Sequence, residues 1–578
     1  MKKIHLYISF LLAAFAVASC GVDDVKPQGM LDQKTAYSHS ENLVTAAYAA
    51  MGDDWYSYPF NLWPYGDMSA DDCYKGGSGL GDTGYHPMEV FSSLTNDRGE
   101  FDELWYRLYV AISRCNHALE TMPVDEKGNV IEKFAKLSAE ARFLRAHFYY
   151  KLQQMWYEVP LVLENMDNTT VEATKQSSHE EVMKFLEKEF TFAYNNLPSM
   201  QPGTTGRATK EAAASYLAKL YLNWAYGDGY EATTGYDHID IEKMKQVKKY
   251  AAEVLEESTG YRLLPSFGDV FMVNHKNSCE SVFAVQHSNK ADDGTQYGRA
   301  NWSNMLNGCW GIWSCGWDFH KPSQNLVNAF KTKNGLPMFD DFNTEENHNV
   351  YPVNGSTTSQ KWDPRLFHTV GMPTFPYKYE EAYTLTMDNS RNPADYGFYT
   401  SMKEVPQRSK GESYDNPWQA FGVNDYVFRV ADVMLMLAEA KVELNETKEA
   451  LEIINKIRKR AKESISGYIE YAADQCEIIE YPSGSFENKE YARQAVRWER
   501  RLELAMEGHR FFDLRRWGML SKTLNDYFKI EKGSIYEKKG YATYLKDAFF
   551  KTGKNEYFPI ASNQINYVPG LYHQNKGY

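Results

Sequence analysis

The chain has 578 residues, of which 43% are hydrophobic and 24% charged, with a formal net charge of −14. These values describe a globular protein long enough for several domains or one elaborated domain. So acidic a chain excludes nucleic acid and anionic lipid as main partners, because both are held chiefly through Lys and Arg.

Lys2 and Lys3 precede an apolar run from Ile4 to Val17. About fourteen residues cannot cross a hydrocarbon core, which takes roughly twenty, so the run reads as the centre of a signal peptide covering residues 1–19. Val17-Ala18-Ser19-Cys20 resembles the lipobox of bacterial lipoproteins. That resemblance implies cleavage before Cys20 and lipid attachment to it, the alternative being a secreted protein cut nearby. Several acyl chains give a stable anchor where one does not. Gly21-Val22-Asp23-Asp24 then resembles the surface-export signal of Bacteroidetes lipoproteins. Besides Cys20 there are six cysteines; none forms a CxxC, and Cys309 and Cys315 are the closest pair, with connectivity left open.

Apolar positions Leu137, Ala141, Leu144, Phe148, Leu152 and Met155 fall on one face of a helix, with Arg142 and Arg145 off that stripe. Arg207 to Tyr226 and Glu242 to Glu257 form a helix pair with small alanines at the crossing. From Gly260 to about Gln419 the helical period gives way to Gly, Asn, Ser, Pro and aromatics, read as loops and short strands, where binding usually sits. Val427, Ala431, Met434, Leu435, Ala438 and Val442 then mark a helix. Asn445-Glu446-Thr447 is a turn, and Ala450, Ile453, Ile454 and Ile457 start the returning helix. The expected fold is mainly α, with tetratricopeptide-like helix pairs around an irregular middle. Its divisions are residues 20–259, a loop-rich ligand-binding region 260–420, and a helical region 421–578 that packs with the N-terminal helices.

The run Arg497 to Gly518 holds six arginines, against Glu499, Glu503, Glu507 and Asp513. So near a balance speaks against a phosphate-binding patch. Carboxylates and guanidiniums three and four positions apart can alternate along a helix, so the run reads as a structural ion-pair network. Trp498, Leu502 and Ala505 supply its apolar stripe, and Gly508 suits a left-handed C-terminal cap. Enzyme signatures are absent: there is no HExxH, no phosphate-binding GxxxxGK[ST], no GxSxG and no zinc-spaced Cys/His cluster. Asp53-Asp54 and Asp71-Asp72 read as turn and solvation residues.

Five blocks in order carry a family resemblance. Phe428 to Ala440 resembles the R-x-A-D-V-L-L-x-x-A-E-A helix of the SusD/RagB outer-membrane lipoproteins, and Ala450 to Arg458 resembles its A-L-x-x-I-N-x-V-R helix. Glu499 to Trp517 resembles the family's E-R-R-x-E-x-x-x-E-G-x-R-x-x-D-L-R-R-W signature. Tyr557-Phe558-Pro559-Ile560 and the terminal Gln574 to Tyr578 resemble its tail, with Ala561 where a second proline usually stands. Ala139 to Ala146, Gly206 to Lys210 and Asp363-Pro364-Arg365 extend the likeness over nearly the whole mature chain. The resemblance implies a non-catalytic, surface-exposed glycan-binding lipoprotein. It further implies a TonB-dependent, SusC-like transporter as partner, to which oligosaccharide is delivered.

Two aromatic clusters are candidates for that binding. One runs from Trp55 through Tyr58, Trp63, Tyr65 and Asp67 to Tyr85; the other holds Trp302, Trp310, Trp313 and Trp317. A sugar ring presents a C–H face and a hydroxyl rim, so its site needs a flat aromatic surface and a few polar groups. The resemblance places glycan sites on loops of these two regions, and Arg365 is a further candidate. No cofactor is expected. Structural calcium is left open at Asp67 to Asp72, although that spacing is not an EF-hand loop. The alternatives are a RagB-like protein taking up peptide or glycoprotein, and a lipoprotein glycosidase.

Overall fold

The computed structural model describes residues 33–199, 205–227, 229–230, 238–288, 299–344, 360–414, 419–533 and 543–578. The expected signal peptide and Cys20 lie outside them. Among the described residues the architecture is mainly helical. The principal helices are α1 (Gln33–Ala49), α2 (Gly99–Glu120), α3 (Ala135–Trp156), α4 (His179–Asn196), α5 (Lys210–Ala225) and α6 (Ile241–Val254) in the first half. In the last part follow α7 (Val430–Glu443), α8 (Thr447–Glu463), α9 (Lys489–Leu504), α10 (Arg510–Arg516) and α11 (Leu520–Glu531).

Local chemistry sets several of these ends. Thr209 caps α5 by accepting from Ala212 N, and Ser178 with Glu181 closes a capping box on α4. Asn445, at φ 63°, makes the expected turn between α7 and α8. Helix α7 starts later than its apolar period suggests, because Asp425–Arg429 is instead a strand paired antiparallel with Ser281–Val285.

Helices α5 and α6 pack as a pair, α6 lies against α7, and α7 touches both α8 and α9. One hydrophobic core therefore runs through both ends of the chain, from Phe143, Leu217 and Val247 to Leu435, Ile454 and Leu502. Between them the chain forms short helices and strands of two to five residues. The strand Cys73–Gly76 pairs antiparallel with Phe319–Pro322, Gly76 opposite Phe319. That ladder sets the turn after Gly76 beside the tryptophan-rich loop before Phe319.

The Arg497–Gly518 run forms a buried network. Arg500 meets Asp432 at 2.5 Å and Asp513 at 2.6 Å. Glu503 is held by Arg429 at 2.8 Å and Arg460 at 2.5 Å, and Glu507 by Arg429 and Lys403, each at 2.7 Å. Burial alone would raise the Glu503 carboxyl, but Arg460, Arg429 and Arg365 bring it down to about 2. Arg145, expected off the apolar face of α3, is also buried, with Glu189 at 2.7 Å.

Two further details differ from the sequence reading. Helix α9 ends at Leu504, four residues before Gly508, and Met506 takes φ 65°. Gly508, at φ 78°, instead touches the N-terminal region: a Cβ on Gly66 would fall 2.1 Å from Gly508 O. Asp71 and Asp72 are not solvated turn residues. Arg501 lies 2.9 Å from Asp71 and 2.7 Å from Asp72, and Arg510 lies 2.8 Å from Asp71.

Candidate functional site

The second aromatic cluster divides by burial. Trp310 is 44% exposed and Trp317 is half-buried, whereas Trp302 and Trp313 are buried. Trp313 packs edge-on to Phe421, with ring centroids 5.0 Å apart, and Trp302 lies 5.0 Å from Trp55. Trp302 and Trp313 are therefore core residues, which corrects their place in the expected site.

Trp310 and Trp317 share one neighbour that sequence reasoning missed. The guanidinium carbon of Arg391 lies 5.6 Å from the Trp310 ring centre and 5.2 Å from that of Trp317. Asp82 meets Arg391 at 3.2 Å. The result is two accessible indole rings around a cation whose charge is matched by a carboxylate.

Backbone chemistry fixes each part. Asp318, itself buried at φ 61°, accepts from Arg391 N at 2.8 Å and from Lys321 Nζ at 2.8 Å. Asn389 Nδ2 donates to Trp310 O at 2.9 Å. On the other side, Lys75 Nζ threads the Gly76–Asp82 turn from within, donating to Gly76 O and Gly79 O at 2.9 Å and to Asp82 O at 3.1 Å. Burial lowers this amine to about 8. Asp82 in turn accepts from Ser78 N and Oγ, both at 2.8 Å.

The first cluster is mostly interior. Trp55 and Tyr58 are half-buried at the surface, and Arg107 stands 5.1 Å over the Tyr58 ring beside the exposed Tyr106. Trp63, Tyr65, Asp67 and Tyr85 are buried. Trp63 Nε1 donates to Ser303 O at 3.1 Å, Tyr65 packs against Phe558, and Tyr85 donates to Tyr56 O. Asp67 accepts from Gly508 N at 2.7 Å and faces His320 at 3.1 Å. Arg365 is buried between Asp363 and Glu499, each at 2.7 Å, so it belongs to the ion-pair network. These five residues are buried and have structural partners, and of them Trp63 lines an interior cavity of about 150 Å3.

In the Asp67 to Asp72 loop, where calcium was left open, Asp67 faces His320, Asp71 meets Arg501 and Arg510, and Asp72 meets Arg501. No group of three or more His, Cys, Asp or Glu among the described residues is arranged to hold a metal. Of the residues expected at a ligand surface, Trp310, Trp317, Trp55 and Tyr58 are accessible. Arg391 lay hidden in the polar run Asp388 to Asn392, whose composition matches an ordinary loop.

Comparison with known proteins places this geometry in context. A family model described as "SusD family" matches residues 279–578, and one described as "Starch-binding associating with outer membrane" matches residues 24–222. SusD-like protein P25 of Formosa agariphila is 23% identical, over 91% of this chain and 92% of its own. A SusD-like protein of Bacteroides ovatus is 27% identical over 50% of each chain. Among solved structures, a laminarin-binding SusD-like protein aligns at TM-score 0.65 with 22% identity, covering 94% of this chain and 99% of its own. Surface glycan-binding protein A from Bacteroides fluxus aligns at 0.64 with 19% identity over the same shares.

Proposed function

The chain belongs to the SusD family, and from that premise we propose that it is a non-catalytic glycan-binding protein whose ligand stacks on Trp310 and Trp317. The observation that carries this reading is the position of Arg391 against both rings, with Asp82 beside it. The indole faces suit the C–H face of a sugar, and Arg391, Asp82, Ser78 and Asn389 offer donors and acceptors for its hydroxyls. Trp55 and Tyr58 provide a second, smaller aromatic surface.

Cys20 carries the lipid anchor in this reading, holding the protein on the extracellular face of the outer membrane. There it passes oligosaccharide to a TonB-dependent transporter, towards which the helix pairs face. The laminarin-binding relative and the family description as starch-binding make those two glucans the first ligands to try.

Isothermal titration of residues 21–578 against neutral and acidic polysaccharides, laminarin and starch included, tests the function. Binding that disappears in Trp310→Ala supports it. Undiminished binding in that variant rejects the platform, and silence toward every polysaccharide with binding to peptides instead favours a peptide-uptake protein. Cys20→Ala is expected to leave the protein soluble, and continued membrane association would reject the anchor.

A further inference from the structure

The turn that brings Asp82 to the platform also carries Leu80, which is 45% exposed. Leu80 rims a groove of about 390 Å3 whose lining includes Ser92, Asp395, Tyr544, Lys546 and Asp547. That volume falls in the range of small-molecule sites, about 300–1,000 Å3. Its walls combine apolar side chains with three hydroxyls, an imidazole, two carboxylates and an amine, the mixture a saccharide needs.

The groove and the platform are joined structurally. Arg391, under the tryptophans, and Asp395, in the groove, stand on one short segment. Between them Asn392 Nδ2 donates to Ser78 O at 3.2 Å and to Asp395 Oδ2 at 2.8 Å. The buried support is shared as well: Lys75, which holds the turn, lies 5.6 Å from the Tyr396 ring, and that ring is 4.9 Å from Tyr544 in the groove. A ligand on the platform therefore meets the Ser78–Asp82 turn, and the groove lies along that turn.

We infer that this groove is a second subsite for the same glycan, taking the units that extend past the Trp310/Trp317 platform. The inference rests on the platform reading and makes the preferred ligand an oligosaccharide long enough to cross the turn. Asp82 matches Arg391 on the platform, and the groove sets the carboxylates of Asp395 and Asp547 against the single amine of Lys546, so the path disfavours an anionic ligand and the fit is to an uncharged chain.

The test uses an array of defined-length oligosaccharides, from disaccharide to octasaccharide, of plant, algal, fungal and host glycans. Wild-type protein is compared with Ser92→Trp, which fills the groove from an exposed position, with a Lys546→Ala/Asp547→Ala pair, and with Trp310→Ala. Wild-type affinity is expected to rise again once the chain outgrows the platform. The groove variants are expected to remove that rise, about tenfold on the longest chains, and to leave short ones unchanged, as tethered subsites do. Trp310→Ala is expected to weaken every length. Long chains bound equally by wild type and both groove variants overturn the inference while leaving the platform standing. An unaffected Trp310→Ala removes the platform and the inference with it, and so does silence across the array.

Discussion

Arg501 Nε donates to Asp72 Oδ1 at 2.8 Å, joining positions 429 residues apart in the chain. The same guanidinium reaches Asp71, so one side chain of the C-terminal motif holds the N-terminal loop that leads into the strand Cys73–Gly76. The charge-rich motif thus acts on the platform indirectly, by fixing the strand whose turn bears Asp82.

Truncating Arg501 is expected to be severe. Arg501→Ala leaves two buried carboxylates with Arg510 alone, a loss of about 3–5 kcal/mol. Arg501→Lys is expected to rescue little, because an ammonium cannot reproduce the forked contact. Urea unfolding of both variants checks this; a loss near zero would place the motif outside the stabilising core.

Acid should unfold the protein steeply. Glu439 and Glu503 sit at about 2 in the folded chain: burial raises both, but Arg516 outweighs it at Glu439, as do Arg460, Arg429 and Arg365 at Glu503. Their unfolded values lie near about 4.3, so their stabilisation is complete above that pH and drains away as pH falls towards about 2. Melting temperature measured across that window is expected to drop continuously, and a flat profile would contradict the network.

Glu531 acts in the opposite direction. Burial pushes its carboxyl up to about 8, only partly offset by Tyr74 Oη donating at 3.1 Å. The folded state keeps a proton that the unfolded chain releases above about 4.3, so stability from this site is full below that pH and falls as pH rises to about 8. Glu531→Gln keeps an acceptor for Tyr74 and removes the titration. Its melting temperature is expected to exceed wild type by about 2–4 °C at alkaline pH and to match it in acid; equal curves at alkaline pH would refute the shift.

Alanine at four tryptophans should separate site from core. Trp310→Ala and Trp317→Ala are expected to cut glycan affinity while moving the melting temperature little. Trp302→Ala and Trp313→Ala are expected to cost about 3–5 kcal/mol of stability. Calorimetry and thermal melts on the same preparations read both effects. The reverse pattern would exchange the two assignments.

Salt dependence tests the charge balance at the platform. Because Asp82 matches Arg391, affinity for a neutral oligosaccharide is expected to change less than about twofold between about 0.05 M and about 0.5 M salt. A loss of tenfold or more would mean that Arg391 meets an anionic ligand.

The amino-acid sequence by itself determined the scaffold. The period of Leu137 to Met155 and the hairpin around Asn445 are local patterns, and both appear as helices, although the first helix of the hairpin begins at Val430 and not at Val427. The balance of charge in Arg497–Gly518 likewise announced a network, since opposite charges at helical spacing have few other uses. What remained open was which aromatic faces water. Trp310 and Trp313 stand three residues apart, yet one is exposed and the other buried against Phe421, because the loop turns between them and Phe421 arrives from a distant strand. Arg365 and Asp67 looked equally suited to a ligand until Asp363, Glu499, His320 and Gly508 were found around them. Arg391 is the converse case: an unremarked loop residue placed under two indoles by the carboxylate of Asp318. Helical period is set by near neighbours along the chain, whereas exposure and pairing in an irregular region are set by whatever folds back upon it.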